Sequence, residues 1–168
     1  DNPGYARMWG MIRATFERRG VVEGHGSGLT DPHDISAFAA AGLSSDHEVW
    51  ALDEAWDRLM RGLFTELRPF SYDAIIPGLI ERGLKDWSNL ALTTDDRSAS
   101  DTLRDGAADH NVRHAIQHGL APEIAIQCAT INPARHMRLD QWVGSITPGR
   151  YADIVLLRDV PGIDIAHV

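Results

Sequence analysis

The sequence alternates amphipathic helices with short apolar runs, and this alternation restricts the chain to a small number of architectures. Over 52–61 the apolar residues recur at helical spacing, and Gly62 ends the helix immediately before an apolar run. Further helices are predicted over 5–19, 30–42, 72–84, 109–118 and 122–130, and strands over 21–25, 43–47, 63–67 and 89–94. Strands that alternate with helices form parallel βα units, so we predict an α/β fold.

The four predicted strands end at comparable intervals along the chain. The strand ends lie 22, 20 and 28 positions apart, at His25, His47, Leu67 and Asp95, the last of which directly follows its strand. Four βα units are half of an eight-stranded (β/α)8 barrel of the TIM type. Active sites of such barrels lie at the carboxyl ends of the strands, so these end residues are candidates for catalytic or ligand-binding roles.

Three of these strand-end residues have side chains that bind divalent metals. His25 and His47 offer imidazole nitrogens and Asp95 offers carboxylate oxygens. A catalytic metal uses such ligands and keeps one position for water, which then loses a proton near neutral pH and becomes a nucleophile. Because the three residues are predicted at the same end of neighbouring strands, we expect them to converge on one ion. Asp95 is also the candidate to accept the proton from that water and deliver it to a leaving group.

Charge and composition exclude several kinds of partner. The net charge is −8, which disfavours a nucleic-acid partner because phosphate binding needs a basic surface. No apolar run reaches the ~20 residues that cross a bilayer, so no membrane partner is expected. Cys128 is the single cysteine, which fits a reducing compartment, and we expect a cytoplasmic protein.

Several segments carry a resemblance to one family. Residues 23–29 (EGHGSGL) are similar to the strand-five motif of the bacterial adenine deaminases of the amidohydrolase superfamily, and residues 39–48 (AAAGLSSDHE) resemble their strand-six motif. Residues 92–97 (LTTDDR) resemble the strand-eight motif, and residues 125–134 (AIQCATINPA) the helix after the barrel. Residues 144–157 (GSITPGRYADIVLL) match a segment that is widespread in the superfamily, where the chain returns to a small β-sandwich.

The resemblance implies hydrolytic removal of the 6-amino group of adenine, which gives hypoxanthine and ammonia. It implies that His25 and His47 are metal ligands and that Asp95 is both a ligand and the proton shuttle while metal-bound hydroxide attacks C6. The implied cofactor is a divalent metal, manganese or iron, with zinc also accepted, as a single ion or a binuclear pair. The expected partner is a small-molecule purine substrate, and we expect a homo-oligomer.

Two further acids are candidates for contacts with the substrate. Glu48 follows His47 directly and is placed to contact or protonate a purine ring nitrogen; the alternative is an ion pair at the strand end. Asp96 is placed to accept a hydrogen bond from the substrate; the alternative is a cap for the following loop. Trp50 is expected to border the same pocket.

The resemblance also divides the chain into two parts. We predict that residues 1–140 form the C-terminal half of the barrel and that 141–168 begin the β-sandwich, with a buried strand at 152–157. The His-x-His pair of strand one and the bridging carboxylate of strand four have no counterpart here, so we expect this chain to be a piece of a longer one. A half barrel has two open sheet edges and should be neither stable nor active alone.

Alternatives to an adenine deaminase remain. The chain could belong to another amidohydrolase that acts on a different aminopurine or on a cyclic amide, or to a binding protein that kept the fold without catalysis. A row of histidines at 110, 114 and 118 shares one helical face and is predicted to be a solvated surface, because no carboxylate follows the same spacing.

Overall fold

The computed structural model describes residues 3–168, so the first two residues of the predicted barrel half lie outside the described residues. Within this range the helices are α1 (Pro3–Glu17), α2 (Pro32–Ala40), α3 (Leu52–Met60), α4 (Tyr72–Glu81), α5 (Ala99–Asp105), α6 (Ala108–Gln117), α7 (Pro122–Ala129) and α8 (Ile131–His136). The strands are β1 (Ser45–Asp46), β2 (Phe64–Leu67), β3 (Leu90–Leu92), β4 (Leu156–Asp159) and β5 (Asp164–His167). Each helix in the described range is too short or too polar to cross a membrane.

The first three strands form one parallel sheet in the order β1-β2-β3. Ser45 pairs with Phe64, and Thr65 pairs with Leu90. Helix α3 connects β1 to β2, and α4 connects β2 to β3, so each parallel pair is joined by a helical crossover. The α/β prediction is confirmed, and the carboxyl ends of the three strands meet at one edge of the sheet.

The predicted strand at 21–25 is wrong, since this segment has no assigned strand beside β1. Ser44 N donates to Val22 O at 2.8 Å, but Gly24 N donates to the Ser45 hydroxyl at 3.2 Å instead of to a backbone carbonyl. The two backbones approach so closely that a Cβ on Gly24 would lie 2.2 Å from Ser45 O. The segment therefore runs along β1 without forming a regular ladder, and it still delivers His25 to the sheet edge.

The predicted buried strand at 152–157 is also wrong in its bounds and its burial. Strand β4 begins at Leu156, pairs antiparallel with β5, and is largely exposed, as is the run at 152–155. A continuous apolar run is buried only where other layers cover both of its faces, and among the described residues β4 has one partner strand. Ile163, at the turn between the two strands, packs into the main core instead.

The main core lies between the parallel sheet and helices α3, α4, α6 and α7. Its fully buried members are Val49, Ala55, Leu67, Tyr72, Ile75, Ile76, Leu79, Leu90, Ala115, Ala125 and Cys128. Burial raises the pKa of the Cys128 thiol to about 12, so this cysteine is an inert packing residue at neutral pH. By contrast α1, predicted over 5–19 with an apolar face, buries Ile12 alone and exposes Trp9, Met11 and Phe16.

Two polar segments differ from their predicted structure. Residues 97–108 belong to no predicted helix or strand, but they contain α5, whose N-cap Ser98 accepts a hydrogen bond from Asp101 N at 3.1 Å. Capping residues are polar, so the start of a helix resembles a loop in sequence. The histidine row on α6 is half-buried and not a solvated face, because His114 packs against the ring of Tyr72 with centroids 5.3 Å apart.

Candidate metal site and active site

The carboxyl edge of the parallel sheet collects ionisable side chains from every strand. His47 and Glu48 follow β1, Arg68 follows β2, and Asp95 lies in the loop after β3. His25 reaches the same edge from the extended segment beside β1. This placement follows from the parallel topology, since strands that run in one direction all end at the same edge.

The two histidines face each other. His25 Nδ1 lies 2.9 Å from His47 Nε2, and the ring centroids are 4.9 Å apart. Two nitrogens that bind one ion at about 2.0–2.1 Å lie roughly 3 Å apart, so this separation fits two ligands of one metal. The outer nitrogens also have oxygen neighbours: the Ser27 hydroxyl lies 3.1 Å from His25 Nε2, and Glu66 Oε2 lies 4.0 Å from His47 Nδ1. Oxygen partners of this kind orient metal-binding imidazoles.

Glu48 completes a set of three candidate ligands. One ligand atom each from His25, His47 and Glu48 lies within 4.8 Å of the others. Burial opposes ionisation of Glu48, but the hydrogen bond from Ser27 and the charge of Arg68 prevail and lower the pKa of this carboxyl below its usual value. Glu48 is therefore an anion at neutral pH, which is the form that binds a cation. The ion pair that the sequence offers as the alternative for Glu48 is present, since Glu48 Oε1 lies 2.8 Å from Arg68 Nη1. Its contact with a purine ring nitrogen stays a prediction.

Asp95 is near this set but is not a member of it. Its Oδ2 accepts a hydrogen bond from Arg68 Nη1 at 2.7 Å, and the same nitrogen donates to Glu48 Oε1 at 2.8 Å. Asp95 has a φ of 43°, in the left-handed region that non-glycine residues seldom adopt and that is often found at functional sites. Asp96 is exposed and makes no hydrogen bond or ion pair with the described residues.

A buried ion pair supports the loops that carry the candidate ligands. Asp46 Oδ2 accepts a hydrogen bond from Arg58 Nε at 2.7 Å, and both side chains are 1% exposed. Asp46 Oδ1 accepts backbone hydrogen bonds from Gly26 N at 2.9 Å and Glu48 N at 3.0 Å. A Cβ on Gly26 would lie 2.3 Å from Asp46 Oδ2, so glycine is required for this approach. One carboxylate thus fixes the backbone beside His25 and beside His47.

A second group of acids lies behind His47. Glu66 is partly buried beside Glu23, and this burial together with the charge of Glu23 raises the pKa of Glu66 to about 7. Glu23 itself forms an ion pair with His136 at 2.7 Å and accepts a hydrogen bond from Ser45, and these contacts lower its pKa. The pKa of Glu23 is thus lowered and the pKa of Glu66 is raised, so Glu66 is the carboxyl that retains its proton to higher pH.

The raised pKa of Glu66 predicts a pH-dependent effect of Glu66→Gln on stability. An unfolded glutamate titrates near about 4.3, so between that value and about 7 the folded wild type binds more protons than the unfolded chain, and its stability falls as pH rises. Glutamine does not ionise, so the variant should gain stability relative to wild type from about pH 5 to about pH 8. Thermal unfolding of metal-free protein at both pH values measures this, with Glu81→Gln at an exposed site as control. An equal difference at both pH values would contradict it.

Sequence reasoning found the two histidines but missed four of the residues that organise them. Arg58 and Arg68 are not metal ligands, and the sequence alone indicates no role for Asp46 or Ser27. One signal is present for Arg68: it is the first residue after the predicted strand 63–67, as Asp95 is the first residue after the predicted strand 89–94. Nothing in the spacing of Asp46 and Arg58 indicated that they pair.

These features define an α/β protein with a candidate divalent-metal site at the ends of its parallel strands. The chain belongs to the amidohydrolase family, whose model matches residues 14–167. It is 64% identical over all 168 residues to adenine deaminase 2 of Jannaschia sp. (strain CCS1) and 65% identical to adenine deaminase 2 of Bradyrhizobium diazoefficiens, covering 27% of each. It is 43% identical over 152 residues to the adenine deaminase of Desulforamulus reducens, where the match covers 88% of this chain and 26% of that one.

The chain therefore spans about a quarter of the length of the curated relatives that it matches. Among solved structures, an amidohydrolase from Thermotoga maritima MSB8 aligns with 70% of this chain and 38% of its own, at 18% identity and a TM-score of 0.35. That likeness is too low to bear on the fold.

Proposed function

We propose that this chain supplies part of the active site of a metal-dependent hydrolytic deaminase that converts adenine to hypoxanthine and ammonia. The observation that carries the proposal is the convergence of His25, His47 and Glu48 within 4.8 Å at the carboxyl edge of the sheet. The 64% identity to an adenine deaminase supports it, since that match covers the whole chain and so includes the segments that carry these residues. The family has many substrates, and this similarity favours adenine among them.

The proposal includes the position of the chain within a larger architecture. Three parallel strands in sequential order, joined by helices, are what consecutive strands of a (β/α)8 barrel would form. We place residues up to 140 in the C-terminal half of such a barrel, and 141–168, with the antiparallel pair β4-β5, at the start of a β-sandwich. The remaining barrel strands would come from the rest of a longer chain, so activity is expected of the full-length protein.

The residues of the candidate site would have separate roles in the reaction. His25 and His47 would hold a divalent metal, manganese or iron and also zinc, and the metal would supply Lewis acidity and activate water for attack on C6 of the purine. Glu48 would complete the ligand set or contact a ring nitrogen. Asp95, exposed at the same edge, would take the proton of the attacking water and pass it to the departing nitrogen. Water oxygen replaces the amino nitrogen at C6, and ammonia leaves.

Asp96 would contribute to recognition of the substrate. It is exposed beside Asp95 and unpaired among the described residues, so its carboxylate is available to accept a hydrogen bond from a purine N–H. This role separates the two adjacent acids: Asp95 is held by Arg68, and Asp96 faces outward.

Ammonia release by the full-length, metal-loaded protein tests the proposal. We expect ammonia release from adenine to exceed release from other aminopurines, and ring opening of cyclic amides, followed by loss of the substrate, to be slower under the same conditions. A divalent metal should be bound in proportion to protein. Ammonia from another aminopurine, or ring opening of a cyclic amide, with none from adenine would reassign the substrate within the amidohydrolases. Absence of both bound metal and hydrolysis across the panel would favour a non-catalytic binding protein and overturn the proposal.

A further inference from the structure

We propose that Arg68 is a positioning residue that holds Glu48 and Asp95 together as one unit, and that only a guanidinium group can serve at this position. The role assigned to the two acids rests on the proposed function. The contacts of Arg68 are properties of the fold itself, and they can be tested without any substrate.

Arg68 connects the two carboxylates through a single nitrogen. Nη1 donates to Glu48 Oε1 at 2.8 Å and to Asp95 Oδ2 at 2.7 Å, while the Arg68 side chain is only 3% exposed. The two acids come from loops after different strands, 47 positions apart in the chain. No other described side chain contacts both of them, so Arg68 sets their separation.

The positive charge also offsets repulsion between the acids. Two carboxylates gathered at one partly buried edge repel each other, and a cation hydrogen-bonded to both removes most of this cost. Without Arg68, Asp95 would lose its hydrogen bond at the site, and Glu48 would keep its hydrogen bond from Ser27 at 2.9 Å and its contact with His47 at 3.7 Å. Asp95 would then be free to turn away from the histidines.

An aromatic pair, Trp50 and Phe70, selects a guanidinium at this position. The central carbon of the Arg68 guanidinium lies 4.7 Å from the Trp50 ring centroid and 4.6 Å from the Phe70 ring centroid. The two rings stack on each other with centroids 4.9 Å apart and are themselves about half exposed, so they shield the cation from water. A flat, weakly hydrated guanidinium fits against such rings, whereas a lysine ammonium is compact and strongly hydrated.

The remaining donors of Arg68 indicate that placing the acids takes precedence over complete hydrogen bonding. Nε and Nη2 are buried and have no partner among residues 3–168. Buried donors without partners are uncommon in folded proteins and often belong to functional sites. The guanidinium is thus oriented to bring one nitrogen to both carboxylates, although this leaves its other two nitrogens without hydrogen-bond partners.

The test compares Arg68→Lys and Arg68→Gly in the full-length protein. We expect both variants to lower kcat about 10- to 100-fold, as misplaced catalytic groups do, with a change in KM of less than about threefold. Metal content should stay close to the wild-type level, because Arg68 touches neither His25 nor His47, and Glu48, the third candidate ligand, keeps its hydrogen bond from Ser27. Guanidinium chloride at millimolar concentration should restore part of the activity of Arg68→Gly, and methylammonium chloride should not.

Arg82 provides the matched control, because its guanidinium carbon also lies over a tryptophan, 5.5 Å from the Trp56 centroid, and it pairs with Asp53 on the surface. Arg82→Gly should leave activity unchanged and should not respond to guanidinium. Full activity of Arg68→Lys, or an equal response of the two glycine variants to guanidinium, would overturn the positioning role.

A binding measurement separates this proposal from the proposed function. Titration of Arg68→Gly with guanidinium, followed by tryptophan fluorescence, should saturate, and saturation should require higher concentrations when Glu48→Gln and Asp95→Asn are added. Saturable binding in a protein that never deaminates adenine would overturn the proposed function and support the role of Arg68. The opposite result has three parts: the wild type deaminates adenine, Arg68→Gly does not bind guanidinium, and Arg68→Lys is fully active. It would support the proposed function and overturn the role of Arg68.

Discussion

Replacing His47 with alanine is expected to abolish binding of the divalent metal and to lower deaminase activity more than about 100-fold, because loss of an outer partner of a metal ligand already costs about 10- to 100-fold. His47 lies at the centre of the site. Its Nε2 is 2.9 Å from His25 Nδ1 and 3.7 Å from Glu48 Oε1, and its Nδ1 is directed to Glu66. No other described side chain has contacts with all three.

Two measurements on the full-length protein check this prediction: the metal content of the purified protein and the rate of ammonia release from adenine. His33→Ala is the control, since His33 is exposed on α2 and should change neither quantity. His25→Ala should reproduce the loss seen for His47→Ala, because the two nitrogens face the same point. A His47→Ala protein with a full complement of metal would mean that the ion binds elsewhere.

The order of the strands could be predicted from the sequence, but the exact pairing could not. Alternation of helix and strand patterns predicts parallel βα units, and the order β1-β2-β3 is the one expected of consecutive barrel strands. Hydrogen-bond partners depend on what lies beside a segment. Residues 21–25 approach β1 through Gly24, and a serine hydroxyl takes the place of a ladder acceptor. Ile154 and Val155 are apolar, yet both are exposed, because no described residues cover them.

In the candidate site too, features set by the local sequence pattern could be predicted, and features set by contacts between distant residues could not. The positions of His25 and His47 at strand ends were enough to predict that they meet, because the parallel topology fixes the edge. The separation of Asp95 from the three-residue set could not be foreseen, since it results from the hydrogen bond to Arg68. Whether Asp95 binds the metal, as the sequence predicts, stays a prediction. Side-chain pairing between distant loops has no periodic signal in a sequence.

The second large effect is expected from Arg58→Met, which should lower the free energy of unfolding by about 3–5 kcal/mol, the usual cost of removing one partner of a buried ion pair. Arg58 and Asp46 are each 1% exposed, so the remaining carboxylate of Asp46 would stay in the interior without its cation. Arg58 Nη2 also donates to Leu29 O at 3.1 Å, and the variant would leave that carbonyl unpaired. Because Asp46 fixes Gly26 N and Glu48 N, we also expect weaker metal binding.

Urea unfolding of the metal-free full-length protein measures the loss without the contribution of bound ligand. Arg61→Met is the matched control on the same helix, because Arg61 pairs with Asp57 near the surface, where an ion pair contributes at most about 1 kcal/mol. Adding Asp46→Asn to Arg58→Met should restore part of the lost stability, since the neutral amide retains a hydrogen-bond acceptor and removes the uncompensated charge. If the double variant is less stable than Arg58→Met, the cost lies in lost packing around the guanidinium and not in the stranded carboxylate.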